Sequence, residues 1–497
     1  MKNTTDPRKA FAHGNRPKVY DRSTALRSIR WLIWLYIILL VLEGALRKWI
    51  VPQFSNPLLI VRDPVVITIY LLAIRARVFP TDRFTISLFA IGMLSWLVGL
   101  IVLEPYLPLK PLMLVTAFGF RSNFFHLPLI FVIAKVLNER DVRKVGWWTM
   151  LTMIPMGLLM AAQFQASPDS FINRTVGLGE GEQITAGGGK IRPPGSFSFV
   201  SGAIFFTTAA TAFLLEAALS RAKQNSWLLF GSGFAVVVAV AVSGSRSVVA
   251  SVLLVVLSLL AILLLRPEAI NKFGRNLLMV VVAGMIISHL PIFKEGLGIL
   301  SDRFTASAEA SDMTVTGGIV NRVLTGFTEG FTVFNKLPLA GYGLGIGTNA
   351  GAKFLTGRSG FLLAEGEWAR VLLESGPILG LAFLLWRTIL TLRLGYLSFL
   401  SLKRGEILPL LIFSAGFTAL LNGQFGQPTS LGFAVVLAGL CLAATRPSED
   451  VQSAPASLAE KQHEPRTPKR VAGRSEYANR LHGPSITPDK INGSVDR

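Results

Sequence analysis

The stretch VAVAVSGSRSVVASVLLVVLSLL (residues 238–260) decides the fold. It is apolar on both sides of a short polar turn, Ser243-Gly244-Ser245-Arg246-Ser247. Extended outward, the two apolar runs cover 227–243 and 247–266, close to the ~20 residues that a membrane-crossing helix needs. Two such runs joined by a tight turn read as a helical hairpin in a bilayer, because a helix satisfies its own backbone where water is absent. The pattern recurs along the chain. Apolar runs stand at 30–50, 57–75, 84–103, 110–137, 146–165, 196–217, 275–292, 371–394, 406–423 and 430–446. The expected fold is therefore an all-α polytopic membrane protein of about twelve transmembrane helices. The fourth run carries Arg121 and His126 and is expected to be broken or re-entrant.

Composition agrees. Of 497 residues, 51% are hydrophobic and only 16% are charged, and the mean hydropathy is +0.52. That profile excludes an ordinary soluble domain. The formal net charge of +20 would point to nucleic acid in a soluble protein. Here the excess sits in loops and tails, where membrane orientation accounts for it, so no nucleic-acid partner is expected. The single cysteine, Cys441, lies in an apolar run, which excludes a disulfide framework. His13, His126, His289, His463 and His482 show no metal-ligand spacing, and no P-loop, HExxH, GxSxG or kinase motif is present. No metal or cofactor is expected. The GxGxxG pattern in GYGLGIGTNAG (341–351) follows no βαβ unit and reads as a flexible turn at a membrane surface.

Basic residues orient the chain. With the N-terminus cytoplasmic, the inner segments hold Arg75, Arg77 and Arg83; Lys135, Arg140, Arg143 and Lys144; Arg221 and Lys223; Arg266, Lys272 and Arg275; and Arg393, Lys403 and Arg404. The outer loop NGQFGQPT (422–429) has none. This alternation follows the positive-inside rule and places both termini in the cytoplasm. The expected organisation is a basic tail (1–29), nine helices within 30–292 with an outer loop at 166–195, a long outer loop (293–370), three helices (371–446) and a disordered tail (447–497). The N-terminal segment is too long and polar for a cleaved signal peptide, so the first helix is expected to stay.

Charges gather at the outer face. Arg192 stands in GKIRPPGSFSF, Arg246 in SGSRS and Arg322 in NRVLTGF. Arg358, Glu365, Glu367, Arg370 and Glu374 close the long loop. Glu43 with Arg47, and Arg62 with Asp63, lie toward the outer ends of the first two runs. Arginines there suit bidentate binding of phosphate or pyrophosphate, and a carboxylate beside them suits a general base. If 365–375 is helical, Glu367, Arg370 and Glu374 share a face. The competing readings are structural: ion pairs between packed helices for Glu43–Arg47 and Arg62–Asp63, a buried polar contact for Arg121 and His126, a snorkelling turn residue for Arg246, a loop residue fixed by the following Pro-Pro for Arg192, solvated loop charges for Arg322 and Arg358, and an exposed amphipathic surface helix for Glu365, Glu367, Arg370 and Glu374.

The ordered motifs resemble the O-antigen ligase and O-antigen polymerase superfamily of bacterial polysaccharide membrane proteins. GKIRPPGSFSFVSGAIFF (189–206) is similar to the family's Arg-x-x-Gly-Thr-Phe segment, and the stretch 238–260 to its Ser-Arg turn. NKLPLAGYGLGIGTN (335–349), followed by EGEWARVLLESGPILGLAFLL (365–385), is similar to its Pro-x-x-Gly-x-Gly loop and Glu-x-Gly helix. The resemblance covers about 190–390. It implies transfer of glycans carried on undecaprenyl pyrophosphate, at the periplasmic face of the bacterial inner membrane, without metal or nucleotide sugar. It implies that Arg192 and Arg246, and less directly Arg322, bind the pyrophosphate. The family's ligases place a His-Asn pair nine residues before the Glu of Glu-x-Gly; here Glu365 and Gly366 stand there. That departure favours a polymerase-like member, with Glu365 or Glu367 as base and Arg370 orienting it. The expected partners are a lipid-linked glycan donor, a glycan acceptor, membrane lipids and other polysaccharide-assembly proteins. Two alternatives stand beside this reading. One is a transporter of a glycolipid or anionic solute, which Arg121 and His126 would serve; the other is a non-catalytic component of an assembly machine.

Overall fold

The computed structural model describes residues 22–446 apart from 177–182, 221–224, 266–293 and, further on, 297, 300, 303–304, 306–327, 331, 335–336, 358–359 and 361. The expected ninth span (275–292), Arg322, Arg358, the residues before 22, the tail 447–497 and much of the loop 293–370 lie outside the described residues.

The described chain is mostly helical. Helix α1 (Arg22–Ala45) runs into a π-helical turn, Leu46–Ile50. After two short helical turns come α2 (Asp63–Arg75) and α3 (Arg83–Leu103). The expected break in the fourth run is present: α4 (Leu109–Phe120) passes through a second π-helical turn, Arg121–Phe125, before α5 (Leu129–Val136). Then follow α6 (Glu139–Gln165), α7 (Val200–Leu219), α8 (Ser226–Val242), α9 (Arg246–Leu265), the short α10 (Asn349–Thr356), α11 (Glu367–Arg404), which is two helical segments joined by a sharp kink at the non-helical Gly376, α12 (Leu408–Asn422) and α13 (Pro428–Ala444). Among the described residues, eight helices or joined helices are long and apolar enough to cross a membrane. Three apolar helices, α8, α12 and α13, are shorter.

Local chemistry sets the ends. Asn138 and Asp141 form a reciprocal cap at the start of α6, which satisfies two otherwise unpaired N–H groups. Asp82 accepts from the Thr85 amide at the start of α3, and Gly405 closes α11 in the left-handed conformation. Helices α7 and α13 form the centre: nearly all of their residues are buried. Peripheral helices expose apolar side chains, such as Leu253, Leu257 and Leu264 of α9. An exposed apolar stripe of this kind fits contact with lipid.

Three boundaries differ from the sequence expectation. Helix α1 already includes Arg22, inside the segment expected to be a tail, and Arg30 is held by Asp141 at 3.3 Å. Helix α11 begins at Glu367 rather than 371, since an acid at the first position complements the helix dipole and Arg370 pairs back onto it. The described residues are also not all-α: Thr185–Gly187 and Lys190–Ile191 pair as an antiparallel two-stranded ribbon. Two glycines with positive φ, Gly188 and Gly189, make its turn, and Gly187 before them also has positive φ.

Candidate functional site

Three groups of polar residues gather at one end of the helices, where α1 ends and α7, α9 and α11 begin. The first surrounds a small cavity of about 30 Å³ that opens to the outside. Its lining includes Lys48, Asn173, Arg174, Gln183, Arg192, Pro194 and Ser198. The π-helical turn puts Lys48 there. Arg47 and Lys48 are both buried in that turn. Lys48 donates to the Gly195 carbonyl at 2.6 Å. Gln163 clasps the same glycine, accepting from its amide at 2.8 Å and donating to its carbonyl at 3.2 Å. The Arg-Pro-Pro-Gly segment is thus pinned against α1 and α6.

Arg192 is half-buried in the cavity wall, its Nε donating to the Thr185 carbonyl at 3.2 Å. Arg246 opens α9 directly after the Gly244 turn. That turn lies against the ribbon: a Cβ on Gly244 would stand 3.8 Å from Arg192 Cγ. The structure therefore brings Arg192 and the Arg246 turn together and adds Lys48 and Arg174, which the sequence reading did not single out.

The second group answers for the charges of 367–374. Arg370 donates to Glu367 at 2.9 and 3.0 Å and to Glu374 at 2.7 Å. The expected shared face is present, and all three side chains are buried. Arg387, fully buried, donates to Glu367 at 2.8 Å and to the carbonyls of Leu420 and Gly423, and stacks on Phe425 at 3.7 Å. Asn123, from the second π-turn, accepts from Arg370 at 2.8 Å. Glu374 accepts the Gly347 amide at 2.9 Å, and its backbone carbonyl accepts from Gly343 at 3.1 Å. The glycine loop expected to be a flexible turn is instead packed. Gly341 and Gly345 have φ of +71° and +96°, and a Cβ on either would run into backbone carbonyls, of Glu374 and Val115 respectively. Both carboxylate oxygens of Glu367 are taken by arginines. Glu365 is exposed, and its carboxylate has no partner among the described residues.

A polar chain joins this group to the cavity rim. The Glu365 carbonyl accepts from Gln424 at 2.8 Å, Gln427 donates to Gln424 at 2.5 Å, and Ser201 donates to Gln427 at 2.9 Å. Val200, next to Ser201, lines the cavity.

The third group lies beneath. Glu43 pairs with Arg47 at 3.3 Å and Arg62 at 3.2 Å. Asp63 pairs with Arg121 at 2.9 Å and His126 at 3.0 Å, and Tyr36 bridges His126 and Arg62 at 3.1 and 3.2 Å. Arg62 also donates to the Pro428 carbonyl at 2.6 Å. Arg121 and His126, on which the transport reading rests, are both bonded to Asp63. The second π-turn serves two networks, Arg121 reaching Asp63 and Asn123 reaching Arg370. Arg387 and Asn123 were missed in the sequence; an arginine inside an apolar run, LLWRTIL (384–390), was the available signal.

Among the described residues, no group of three histidine, cysteine or acidic side chains could hold a metal ion. Fold and site together read as a multi-pass helical membrane protein with a cation-lined cavity at one end. Comparison with protein-family models and with curated proteins gives no match.

Proposed function

We propose that the chain transfers glycans from a lipid-pyrophosphate carrier, as a polymerase-like enzyme at the outer face of a bacterial inner membrane with both termini cytoplasmic. The proposal keeps about twelve spans and the long periplasmic loop. One observation carries it: Arg192, Lys48 and Arg174 line one cavity, and the Arg246 turn packs against the arginine-bearing ribbon. Guanidinium and ammonium groups fixed in this way suit a pyrophosphate leaving group, whose negative charge grows as its bond to the sugar breaks.

Glu365 is the proposed base. Its carboxylate is exposed and unengaged among the described residues, whereas Glu367 is occupied by Arg370 and Arg387. In the reaction the acceptor hydroxyl gives its proton to Glu365. Its oxygen bonds to the donor's anomeric carbon, and the carbon–oxygen bond to pyrophosphate breaks. Glu367 and Arg370 then act as the frame that sets the start of α11. The buried pairing of Arg121 and His126 with Asp63 matches the structural reading of those residues better than a transport path.

The test is polysaccharide chain length in cells of the source organism carrying Arg192→Ala or Arg246→Ala at normal protein level. Loss of long chains with lipid-linked single units accumulating supports the proposal. Normal chains in both variants end it.

A further inference from the structure

Helix α6 carries an exposed stripe at the end opposite the one where Gln163 clasps Gly195. Arg140, Lys144, Trp147, Trp148 and Leu158 share one side of it, because residues four, seven, eight and eighteen positions on return to the same helix face. Arg140 and Lys144 are exposed, as are Trp147 at 40%, Trp148 at 52% and Leu158 at 62%. The two indoles meet edge to face with ring centroids 5.0 Å apart. They open the apolar run 146–165, and Trp148 stands about 6 Å along the axis from Lys144. Helix α8 brings a third indole to this level. It runs parallel to α6 and against it: a Cβ on Gly231 would stand 3.0 Å from Ile154, and one on Gly157 2.9 Å from Ala235. Trp227, 82% exposed, lies one turn before Gly231 and thus near the level of Met150, just past the Trp147–Trp148 pair.

The acids at this end of α6 serve other partners. Asp141 caps the helix and pairs with Arg30 at 3.3 Å. Glu139 pairs with Arg143 at 2.8 Å, and Arg143 also reaches Glu216. The stripe thus presents two cations outermost, amphipathic rings about a turn deeper and leucine beyond. That order matches a phospholipid read from headgroup to acyl chain, since basic side chains attract anionic headgroups and indoles settle at the boundary between water and hydrocarbon. We infer that the α6–α8 face binds an anionic phospholipid, its phosphate against Arg140 and Lys144 and its acyl chains along Trp148, Leu158 and Trp227. Interfacial aromatic rings alone would not choose among headgroups, whereas two cations one helical turn apart above them do. The inference is independent of the glycan-transfer reading and concerns the other end of the helices.

Native mass spectrometry of the purified full chain, titrated with dioleoyl phosphatidylglycerol or dioleoyl phosphatidylcholine, tests it. One phosphatidylglycerol is expected to be retained about tenfold or more tightly than phosphatidylcholine. Arg140→Gln combined with Lys144→Gln should bring the two lipids to within about twofold of each other. Arg75→Gln combined with Arg77→Gln, which removes two exposed charges at the same end, should keep the preference. Trp148→Ala combined with Trp227→Ala should weaken retention of both lipids and leave their ratio in place. The replaced side chains are exposed, and a melting curve of each variant confirms that it is folded. Equal retention of the two lipids by the unmodified chain overturns the site and leaves an aromatic belt. A loss in the Arg75–Arg77 variant as large as in the Arg140–Lys144 variant overturns it in favour of general surface charge. A dimer that persists without lipid and is broken by Trp148→Ala overturns it in favour of a second copy of this chain.

Discussion

At the scale of single residues, two glutamates two positions apart have opposite situations. Glu365→Gln is expected to leave thermal stability unchanged, since its carboxylate is exposed and unpartnered among the described residues, and to lower glycan transfer by about 10²–10⁴-fold. A melting curve beside a chain-length assay checks both halves. Arg387→Leu is expected to behave the other way. It removes one of the two arginines that pair with Glu367 and leaves two carbonyls unserved, at a cost of about 3–5 kcal/mol. Denaturation of the purified variant measures it; an unchanged transition would show that Arg387 does not anchor α11. The types and the helical spacing of Glu367, Arg370 and Glu374 were legible in the sequence, because pairs three and four apart meet on a helix. Their remaining partners were not. Asn123 and Arg370 are separated by 247 positions, and nothing local couples them. Lys48 was not singled out because its hydrogen-bond partner, the Gly195 carbonyl, lies 147 positions away.

At the scale of elements, apolar length was the readable quantity. The membrane runs on described residues coincide with helices because each has to bury or lipid-expose a continuous apolar surface. The ribbon 185–191 escaped, being too short for a period-two pattern, and the glycine loop 341–351 was read as flexible because glycine spacing says nothing about packing. Its contacts make a graded prediction. Gly341→Ala places a Cβ against the Glu374 carbonyl at φ +71°, whereas Gly357→Ala, at φ +73°, meets nothing within 4 Å. The second should cost about 1 kcal/mol from conformation alone. The first should cost clearly more and loosen the start of α11. Thermal melts of the two variants, with proteolysis between α10 and α11, compare them; equal effects would contradict the packed loop.

At the scale of the whole molecule, the proposal carries an orientation that can be tested. The cavity, the Arg246 turn and the Gln424 loop share the end that the positive-inside pattern assigns to the outer face. Cys441 is buried, so introduced cysteines can be followed against a quiet background. A membrane-impermeant maleimide added to intact spheroplasts should label Asp169→Cys and spare Thr81→Cys, both exposed positions at opposite ends. The reverse pattern would put the site in the cytoplasm. The most direct test of the account is a reaction in purified form: the chain in proteoliposomes with a lipid-pyrophosphate-linked oligosaccharide and neither nucleotide sugar nor metal added. The account predicts longer glycans together with free polyprenyl pyrophosphate, both lost in Arg192→Ala and Glu365→Gln. Lipid-linked oligosaccharide that crosses the bilayer with its glycan length unchanged would contradict it.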